Sequence, residues 1–530
     1  MLDRILRTLW KTARSSLLFR PRWFAAQSAR DATPASQGQR RLITQREHHM
    51  EATLTSIYDS VWNPLVHITL IAGIVYTIAT RAVQVRHLPG MLKCLFTGRE
   101  SDAGTSSFQA FAMALGGRVG VGNIAGVATA IAYGGPGALF WMIATAVLAG
   151  SSAFIEATLG QVYKTKTEGE YRGGIPWYLE KGLGLKWFAM IAAGVAASCY
   201  ALLIPGVQSS TIASAFDSAF GVPQWISGIV VVTLLGLVVF GGTQRIARVA
   251  EKVVPAMAAC YVLMALVILV INIQAIPEVV RLVMSSAFGT DAVFGGLIGA
   301  AVSWGVRRSL YSNVAGVGEG GYAGAAASVS HPVKQGLVQS FSVYIDTLLV
   351  CTATGVMLLS TGAYNIVPEG RPALVQNLPG VEPGEAFTQE AVNMAFPGLN
   401  IGSGFVAIAI FFFAFTSLLT YFYFGLTNIV YLTGSARGVP ARVLQAVVLL
   451  SAFLGTVRST ELVWQLGDIG YGLIAWFNMI AIALLLPTAL RALRDYERQQ
   501  KEGLDPVFDP VKAGIKGATF WEERESLTRS

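Results

Sequence analysis

The sequence predicts an all-α polytopic membrane protein with about 11 transmembrane helices. Hydrophobic residues make up 53% of the 530 residues and charged residues only 13%, whereas soluble chains carry roughly 25% charged residues. The mean hydropathy is +0.54, and apolar runs of the roughly 20 residues that cross a bilayer as a helix recur along the chain. Glycine-rich interruptions in two of these runs predict broken helices.

The first 49 residues differ from the rest of the chain in charge. They hold ten Lys/Arg and three Asp/Glu, a net charge of +7, and leave +1 for all the other residues. We interpret residues 1–49 either as a basic N-terminal tail or targeting segment, or as an over-extended start with Met50 as the true initiator. Residues 50–495 then form a single transmembrane domain, and residues 496–530 form a cytoplasmic C-terminal tail.

Apolar runs long enough to span a bilayer follow one another from residue 62 onward. They lie at approximately 62–83, 106–134, 136–163, 187–216, 225–242, 251–273, 287–306, 335–361, 402–433, 441–457 and 466–490. Loops that lead from an odd-numbered span to an even-numbered one carry most of the Lys/Arg, including Arg307, Arg308 and Lys334 between spans 7 and 8. Cytoplasmic loops are enriched in Lys and Arg. The core N-terminus is therefore expected outside and the C-terminus inside.

Two spans are interrupted by clustered glycines. Span 2 contains GGRVGVGNIAG at residues 116–126, and span 7 contains AFGTDAVFGGLIGAAVSWG at residues 287–305. A glycine inside a helix costs about 1 kcal/mol relative to alanine, and unpaired backbone groups at membrane depth cost several kcal/mol each. These clusters predict helices that open and present backbone N–H and C=O groups to a ligand. Close helix crossing is the alternative explanation for the glycines.

The order of the spans indicates an internal repeat. With span 1 set aside, residues of about 106–273 and 287–490 form two sets of five spans that begin on opposite sides of the membrane. Each set starts with a glycine-interrupted span, and paired interruptions of this kind indicate the binding site of a transporter. The sequence shows no nucleophile–base constellation, phosphate loop or metal-ligand spacing, so we expect neither an enzyme nor a nucleic-acid-binding protein.

GGRVGVGNIAGVATAIAYGGPGALFW at residues 116–141 resembles the alanine/glycine:cation symporter family of sodium-coupled amino-acid carriers. Further similar stretches, in chain order, are GEYRGGIPWYLEKGLG (169–184), PGVQSS (205–210), GVRRSLYSNVAGVG (305–318), SHPVKQGLVQ (330–339) and FAFTSLLTYFYFG (413–425). The resemblance implies the five-plus-five inverted-repeat fold of the leucine-transporter type, with one extra leading helix. It also implies a bacterial cytoplasmic (inner) membrane protein that imports a small neutral amino acid with Na⁺.

The substrate residues follow from the resemblance and from the chemistry of a zwitterion. Backbone N–H groups at an opened helix end suit a carboxylate, which makes those of Val121 and Gly122 the candidates. Gln208 matches a glutamine that the family uses at the substrate, although it could instead join two helices. A floor of Phe294, Gly295 and Gly296 is expected, and with Tyr421 it would restrict the substrate to alanine or glycine, with D-alanine or serine as further candidates.

The sodium residues are implied by the same resemblance. Carbonyls of Gly116 and Val119 and hydroxyls of Thr416 and Ser417 would surround the ion, since uncharged oxygen ligands suit an alkali cation. The alternative for the two hydroxyls is hydrogen bonding within their own helix. No resident cofactor and no obligate protein partner are expected; the partners are the amino acid, Na⁺ and the lipid bilayer.

Charged residues inside the spans are expected to be paired. A charge at mid-bilayer costs about 2.5–3.5 kcal/mol on insertion scales. We expect Glu156 to accept hydrogen bonds from opened backbone and Arg118 to pair with an acid, whereas Asp346 and Asp468 could instead be solvated near the interfaces. Relatives usually carry glutamate where this chain has Val314 and Leu426, which leaves a proton-coupled or facilitative carrier, or a non-transporting amino-acid sensor, as alternatives.

Overall fold

The computed structural model describes residues 34–97, 101, 103–290 and 294–523, with side chains from residue 52 onward. Most of the basic segment predicted at residues 1–49 therefore lies outside the described residues. The chain divides into two units, Met1–Ile57 and Tyr58–Ser530.

The described chain is mostly helical. Its helices are α1 Pro34–Ala79, α2 Val83–Arg86, α3 Leu88–Leu95, α4 Ser107–Arg118, α5 Ala125–Gly134, α6 Gly137–Val162, α7 Ile175–Leu183, α8 Lys186–Ser198, α9 Pro205–Phe220, α10 Gln224–Val239, α11 Thr243–Ile271, α12 Ile276–Phe288, α13 Ile298–Asn313, α14 Glu319–Ala325, α15 Pro332–Val343, α16 Thr352–Thr361, α17 Glu385–Ala395, α18 Gly402–Thr433, α19 Val439–Thr456 and α20 Thr460–Lys501. Two antiparallel hairpins pair β1 Thr165–Thr167 with β2 Glu170–Arg172, and β3 Asn365–Ile366 with β4 Val375–Gln376.

Eight helical stretches among the described residues are long and apolar enough to cross a membrane. They are Ala52–Ala79, Gly137–Val162, Lys186–Phe220, Thr243–Ile271, Pro332–Thr361, Gly402–Thr433, Val439–Thr456 and Thr460–Lys501. α10 is a shorter apolar helix, as is α5. These stretches confirm a helical membrane protein with many spans, while the count of eleven and the inverted repeat stay predictions.

The break predicted in span 2 is present. α4 ends at Arg118, a single 3₁₀ turn covers Val121–Asn123, and α5 begins at Ala125. The amide of Asn123 stabilises the opened chain, because its Oδ1 accepts a hydrogen bond from the Gly120 N–H at 2.9 Å. A side-chain oxygen here replaces the backbone carbonyl that a continuous helix would supply.

The glycines of span 7 mark one interruption, and a second one follows outside the predicted cluster. α12 ends at Phe288 and α13 begins at Ile298, after a 3₁₀ turn at Gly295–Leu297. α13 then runs without interruption through Gly299 and Gly305, and a further break at residues 314–318 separates it from α14. At Gly305 close crossing is the correct explanation, since an added Cβ would lie 2.6 Å from the Cβ of Trp141 on α6. The break at residues 314–318 needs glycine for a different reason: Gly316 and Gly318 have φ of 96° and 106°, values that side chains rarely allow.

The sequence predicted that Arg307 and Arg308 lie in a loop between spans 7 and 8, and this prediction is wrong. Both lie within α13, where Arg308 is 6% exposed. Arg307 donates to Asn63 Oδ1 at 2.5 Å, and Arg308 pairs with Asp468 at 3.3 Å. These two charges therefore lend no support to the loop alternation, and the orientation of the chain in the membrane stays a prediction.

The two broken helices lie side by side in opposite directions. α13 packs on α5, and α14 packs on α4. The breaks consequently meet: an added Cβ at Gly122 would lie 3.3 Å from the Ser312 Cα, and one at Gly117 would lie 2.9 Å from the Glu319 Oε2. α6 packs on both α13 and α14, and α18 packs on α4.

The chain after α20 folds back onto the helices. Phe508 N–H donates to the Ser330 carbonyl at 3.0 Å, and the Trp521 indole donates to the Gln161 carbonyl at 2.9 Å. Burial lowers the pKa of His331, and the nearby Asp495 opposes that shift. A neutral His331 suits this position, because its Nδ1 accepts from the Val333 N–H at the start of α15. The predicted tail is thus packed as far as residue 523.

Two glycines of α13 should respond oppositely to alanine. Gly305→Ala places a Cβ 2.8 Å from the Ala138 carbonyl oxygen, and such overpacking should destabilise the protein by about 1–3 kcal/mol. Gly299→Ala meets no atom within 4 Å and should stabilise the helix by up to about 1 kcal/mol. Melting of the purified variants in detergent measures both effects. Equal destabilisation would contradict a continuous α13.

Candidate functional site

Residues predicted to bind substrate form one hydrogen-bonded chain at the first break. The Val121 N–H donates to Gln208 Oε1 at 3.3 Å, and Gln208 Nε2 donates to the Tyr421 hydroxyl at 3.2 Å. Tyr421 in turn donates to the Gly117 carbonyl at 3.3 Å. Gln208 and Tyr421 are each 1% exposed. Gln208 therefore joins the opened segment to α18, and it holds an N–H group that a ligand carboxylate could take.

Local helix distortions position two further side chains at this site. A π-helical segment at Cys199–Leu203 carries Tyr200, and Pro205 then begins α9, three residues before Gln208. A second π-helical segment, Tyr344–Cys351, carries Asp346. Proline is favoured at the first helical position, and π-helical turns occur often at functional sites. Neither π-helical segment was predicted from the sequence.

Phe294, Gly295 and Gly296 do not form the floor of this site, so that prediction is wrong. Phe294 Cδ1 lies 4.0 Å from a Cβ added at Gly135, and the Gly296 carbonyl accepts from Arg371 at 3.2 Å. Gly135 follows the last residue of α5, whose ten residues rise about 15 Å from the break. The error follows from placing the second break at the wrong glycines.

Tyr311 and Ser312 of α13 are the residues that the second broken helix brings to the first break. A Cβ added at Gly122 would lie 3.1 Å from Tyr311 Cδ1. A sequence pattern near Tyr311 and Ser312 could have indicated this break. SNVAGVGEGG (312–321) combines closely spaced glycines with an asparagine and an acid. The first break has a similar pattern, GGRVGVGN, in which the glycines accompany an arginine and an asparagine.

An aromatic layer and an ion pair cover the site on the α13 side. The Tyr311 ring stacks on Trp464 with centroids 5.2 Å apart, and the Tyr471 hydroxyl donates to that of Tyr421 at 2.7 Å. Next to this layer, Arg308 pairs with Asp468 and lies over the Trp464 ring at 5.0 Å. Asp468 is 4% exposed, so the solvated alternative for this residue is wrong.

The predicted sodium residues are brought together only in part. Ser417 Oγ donates to the Gly116 carbonyl at 3.0 Å. The Val119 carbonyl lies outside the α-helical ladder, because the Asn123 N–H bonds to Gly120 instead. Both hydroxyls also bond within their own helix, as the alternative interpretation expected: Thr416 Oγ1 donates to two carbonyls at 3.0 and 3.1 Å, and Ser417 Oγ to the Phe413 carbonyl at 3.1 Å. The donor set is made of uncharged oxygens, which fits an alkali ion.

Glu156 on α6 satisfies the backbone of the second break. Its Oε2 accepts from the N–H groups of Gly316 and Gly318, both at 3.0 Å, and from Asn478 Nδ2 at 2.9 Å. Its Oε1 accepts from the Gly320 N–H at 3.2 Å. One buried carboxylate thus replaces the helical partners of three N–H groups, which would otherwise cost several kcal/mol each in lipid.

Arg118 lies beside Glu156. Its Nη2 is 3.8 Å from Glu156 Oε1, and both side chains are 0% exposed. Nη1 donates to the Gln339 carbonyl at 2.9 Å and to Ser342 Oγ at 2.5 Å. The guanidinium is therefore fixed on α15 and neutralises the acid that closes the second break.

Asp346 connects the two broken helices. It accepts from Asn123 Nδ2 at 2.7 Å, from Ser312 Oγ at 3.0 Å and from Thr347 Oγ1 at 2.7 Å. Asn123 belongs to the first break, and Ser312 lies in the last turn of α13. Asp346 is 0% exposed, which makes its solvated alternative wrong.

Glu319 was missed by the sequence analysis. It is 0% exposed, and its Oε1 accepts from the Tyr200 hydroxyl at 3.2 Å. Among the described residues its Oε2 has no hydrogen-bond partner. The position lies five residues after Val314, where relatives carry an acid. Three buried carboxyl groups, those of Glu156, Asp346 and Glu319, thus share this region with the guanidinium of Arg118.

Comparisons with known proteins identify similar sequences. The sequence profile of the sodium:alanine symporter family matches residues 47–510. YrbD of Bacillus subtilis, named provisionally as a sodium/proton-dependent alanine carrier, is 52% identical and covers 89% of this chain and 97% of its own. The sodium/proton-dependent alanine carrier of Bacillus sp. PS3 is 48% identical, with 82% and 97% covered. GlnT of B. subtilis, named provisionally as a sodium/glutamine symporter, is 40% identical, with 89% and 96% covered.

Removing the Glu156 carboxylate should destabilise the protein strongly. Glu156→Gln leaves Arg118 without its acid and offers an amide N–H to backbone donors, and breaking a buried pair costs about 3–5 kcal/mol. Glu278→Gln is the matched control, because that acid is exposed and paired with Arg281 on α12. Melting in detergent measures each variant.

The double variant Arg118→Gln/Glu156→Gln separates pairing from packing. Its loss of melting temperature should be smaller than the sum of the losses in the two single variants, because the double variant leaves no unpaired buried charge. Strict additivity of the two changes would contradict a direct Arg118–Glu156 interaction.

Proposed function

The chain belongs to the sodium:alanine symporter family, and we propose that it is a secondary active symporter that imports a small neutral amino acid together with Na⁺ across the bacterial cytoplasmic membrane. The observation that carries the proposal is the meeting of two helix breaks within the apolar interior, where backbone groups and uncharged side chains lie together. Such a site can strip both a zwitterion and an alkali ion of water and rebind them.

The substrate carboxylate is assigned to the N–H groups of Val121 and Gly122. In this structure the Val121 N–H donates to Gln208 Oε1. A substrate carboxylate would replace Gln208 as the acceptor, and the side-chain amide of Gln208 would then be available to contact the substrate. Space is small: a Cβ at Gly120 would lie 2.6 Å from Ser417 Oγ. This crowding favours alanine or glycine, with D-alanine and serine close in size, over larger side chains such as that of glutamine.

Sodium coupling follows from the adjacency of the two sets of residues. Ser417 contacts the Gly116 carbonyl, and the next carbonyl, that of Gly117, contacts Tyr421 and through it Gln208. An ion at Gly116 and Ser417 would therefore fix the backbone that presents substrate donors. A potential of 100 mV supplies about 2.3 kcal/mol per inward charge, and a tenfold ion gradient adds about 1.4 kcal/mol, which suffices for accumulation.

A proton is the second candidate for the coupling ion. Glu319 supports it, because a buried carboxyl with one oxygen lacking a partner among the described residues is more stable neutral than charged. The names of YrbD and of the Bacillus sp. PS3 carrier also include proton dependence. Ser417 and Gly116 support sodium.

Uptake into proteoliposomes tests the proposal and separates its alternatives. Labelled alanine or glycine should accumulate inside the vesicles under an inward Na⁺ gradient. Without the gradient, the internal and external concentrations should only become equal. Accumulation under a proton gradient without Na⁺ would instead favour the proton-coupled carrier. Binding without any uptake would favour the sensor, and neither binding nor uptake of any small neutral amino acid would remove the proposal.

Loss of the Ser417 hydroxyl should weaken sodium dependence specifically. Ser417→Ala removes one of the assigned oxygen ligands, and the Na⁺ concentration for half-maximal uptake should rise at least about tenfold, equivalent to about 1.4 kcal/mol. Thr433→Ala, an exposed hydroxyl of the same helix that bonds to its own backbone, should leave that concentration unchanged. Equal sodium dependence in the two variants would contradict the assignment.

Two glycine substitutions distinguish the observed site from the predicted floor. Gly122→Ala places a Cβ 3.1 Å from Tyr311 and should reduce uptake at least about tenfold, because the breaks can no longer approach. Gly295→Ala meets only ordinary contact, 3.5 Å from the Gly289 carbonyl, and should transport normally. Loss of uptake in Gly295→Ala with full uptake in Gly122→Ala would restore the floor prediction.

A further inference from the structure

A basic cavity of about 410 Å³ lies between the turn after α1 and the last turns of α20. Five cationic side chains line it, with one acid, Glu497. They are Arg81, Arg86, Arg494, Arg498 and Lys501. None of these residues takes part in the site at the helix breaks.

Two of the five cations are paired. Arg86 pairs with Glu497 at 2.6 Å, and Arg498 pairs with Asp495. For Arg81, Arg494 and Lys501, the part of the chain that the structure describes offers no ion pair and no side-chain hydrogen bond. All three residues are exposed, so their charged groups are available to an anion that enters the cavity.

The backbone that delivers Arg81 is strained. Arg81 and Ala82 have φ of 54° and 52°, in the left-handed region that is unfavourable for residues other than glycine. The turn is held by the Ala82 N–H, which donates to the Thr77 carbonyl at 2.7 Å, and by Arg86, which donates to the Thr80 carbonyl at 3.3 Å. Strain that the surroundings enforce is common at ligand-binding positions.

The cavity adjoins apolar surface that faces lipid. Ile78, which also lines the cavity, is 71% exposed, and Ile74 and Leu484 are 48% and 56% exposed. α20 changes at this level from an apolar helix to the charged stretch RALRDYERQQK (491–501). The boundary between hydrocarbon and headgroups therefore passes beside the cavity, on the side that the sequence predicts to be cytoplasmic.

We propose that this cavity binds the headgroup of an anionic glycerophospholipid such as phosphatidylglycerol. Guanidinium groups of Arg81 and Arg494 suit the oxygens of a phosphodiester, and Lys501 adds a point charge. The acyl chains lie along Ile78 and Ile74, and the bound lipid joins the turn after α1 to α20, the helix that also carries Asp468 and Tyr471. Basic pockets at the cytoplasmic face of helical membrane proteins take such headgroups.

Lipid titration of the delipidated, detergent-purified full chain tests the assignment. Native mass spectrometry and melting should show one phosphatidylglycerol bound tightly, with phosphatidylcholine at least about tenfold weaker, because it lacks net charge. Equal affinity for the two lipids overturns the proposal. Inorganic phosphate that raises the melting temperature as much as the lipid, at equal concentration, shows a free-anion site and also overturns it.

A charge-matched pair of variants locates the site. Arg81→Gln/Arg494→Gln/Lys501→Gln should bind phosphatidylglycerol at least about tenfold more weakly. Arg245→Gln/Arg248→Gln/Arg437→Gln removes the same charge from exposed positions elsewhere and should bind as the natural chain does. Equal affinity in the two triple variants overturns the proposal. If the first triple variant fails to fold, the single variants Arg494→Gln and Lys501→Gln are compared with the natural chain for phosphatidylglycerol affinity instead. These binding measurements do not depend on transport activity.

Discussion

The fold depends on one constraint, that backbone groups opened inside a membrane must find partners within the protein. Each broken helix meets it with a carboxylate from another element. Glu156 accepts three N–H groups of the second break, and Asp346 fixes Asn123, whose amide accepts from the first. Continuous helices would need neither acid. The acids are therefore the condition under which two helices can open at the same depth and meet.

That solution to the backbone problem has an electrostatic consequence. Closing the breaks with carboxylates places acidic groups in the interior, while Arg118 supplies the only cation in direct reach of Glu156 among the described residues. An uncompensated buried charge is costly, so the site is stabilised when a cation enters. In the proposed sodium site, the ligands of that cation would include the Val119 carbonyl and the Gly116 carbonyl, which here accepts from Ser417 Oγ. The proposed symport would thus use one opening in the helix for both the amino acid and the ion.

The first break could be predicted from sequence because its glycines, Arg118 and Asn123 lie within eight residues of one another. The second could not be placed, because glycine serves two purposes that look alike in sequence. Gly305 permits α13 to approach Trp141, whereas Gly316 turns an N–H toward Glu156, 160 residues earlier in the chain. Only the distant acid distinguishes them. The contacts of Glu319 with Tyr200 and of Arg308 with Asp468 are likewise long-range, and no local pattern indicates them.

The position of the second break also decides what each half of the helix contacts. Arg308 lies in α13, before the break, and Glu319 begins α14, after it. Both helix halves contact α20 or its neighbours, since Arg308 pairs with Asp468 and Glu156 binds Asn478 as well as the break itself. Residues 314–318 thus separate two helix halves that have different partners. Glu156 takes the place of backbone ladder partners for the N–H groups of Gly316 and Gly318, so the chain can stay open here without leaving unpaired backbone groups in the apolar interior.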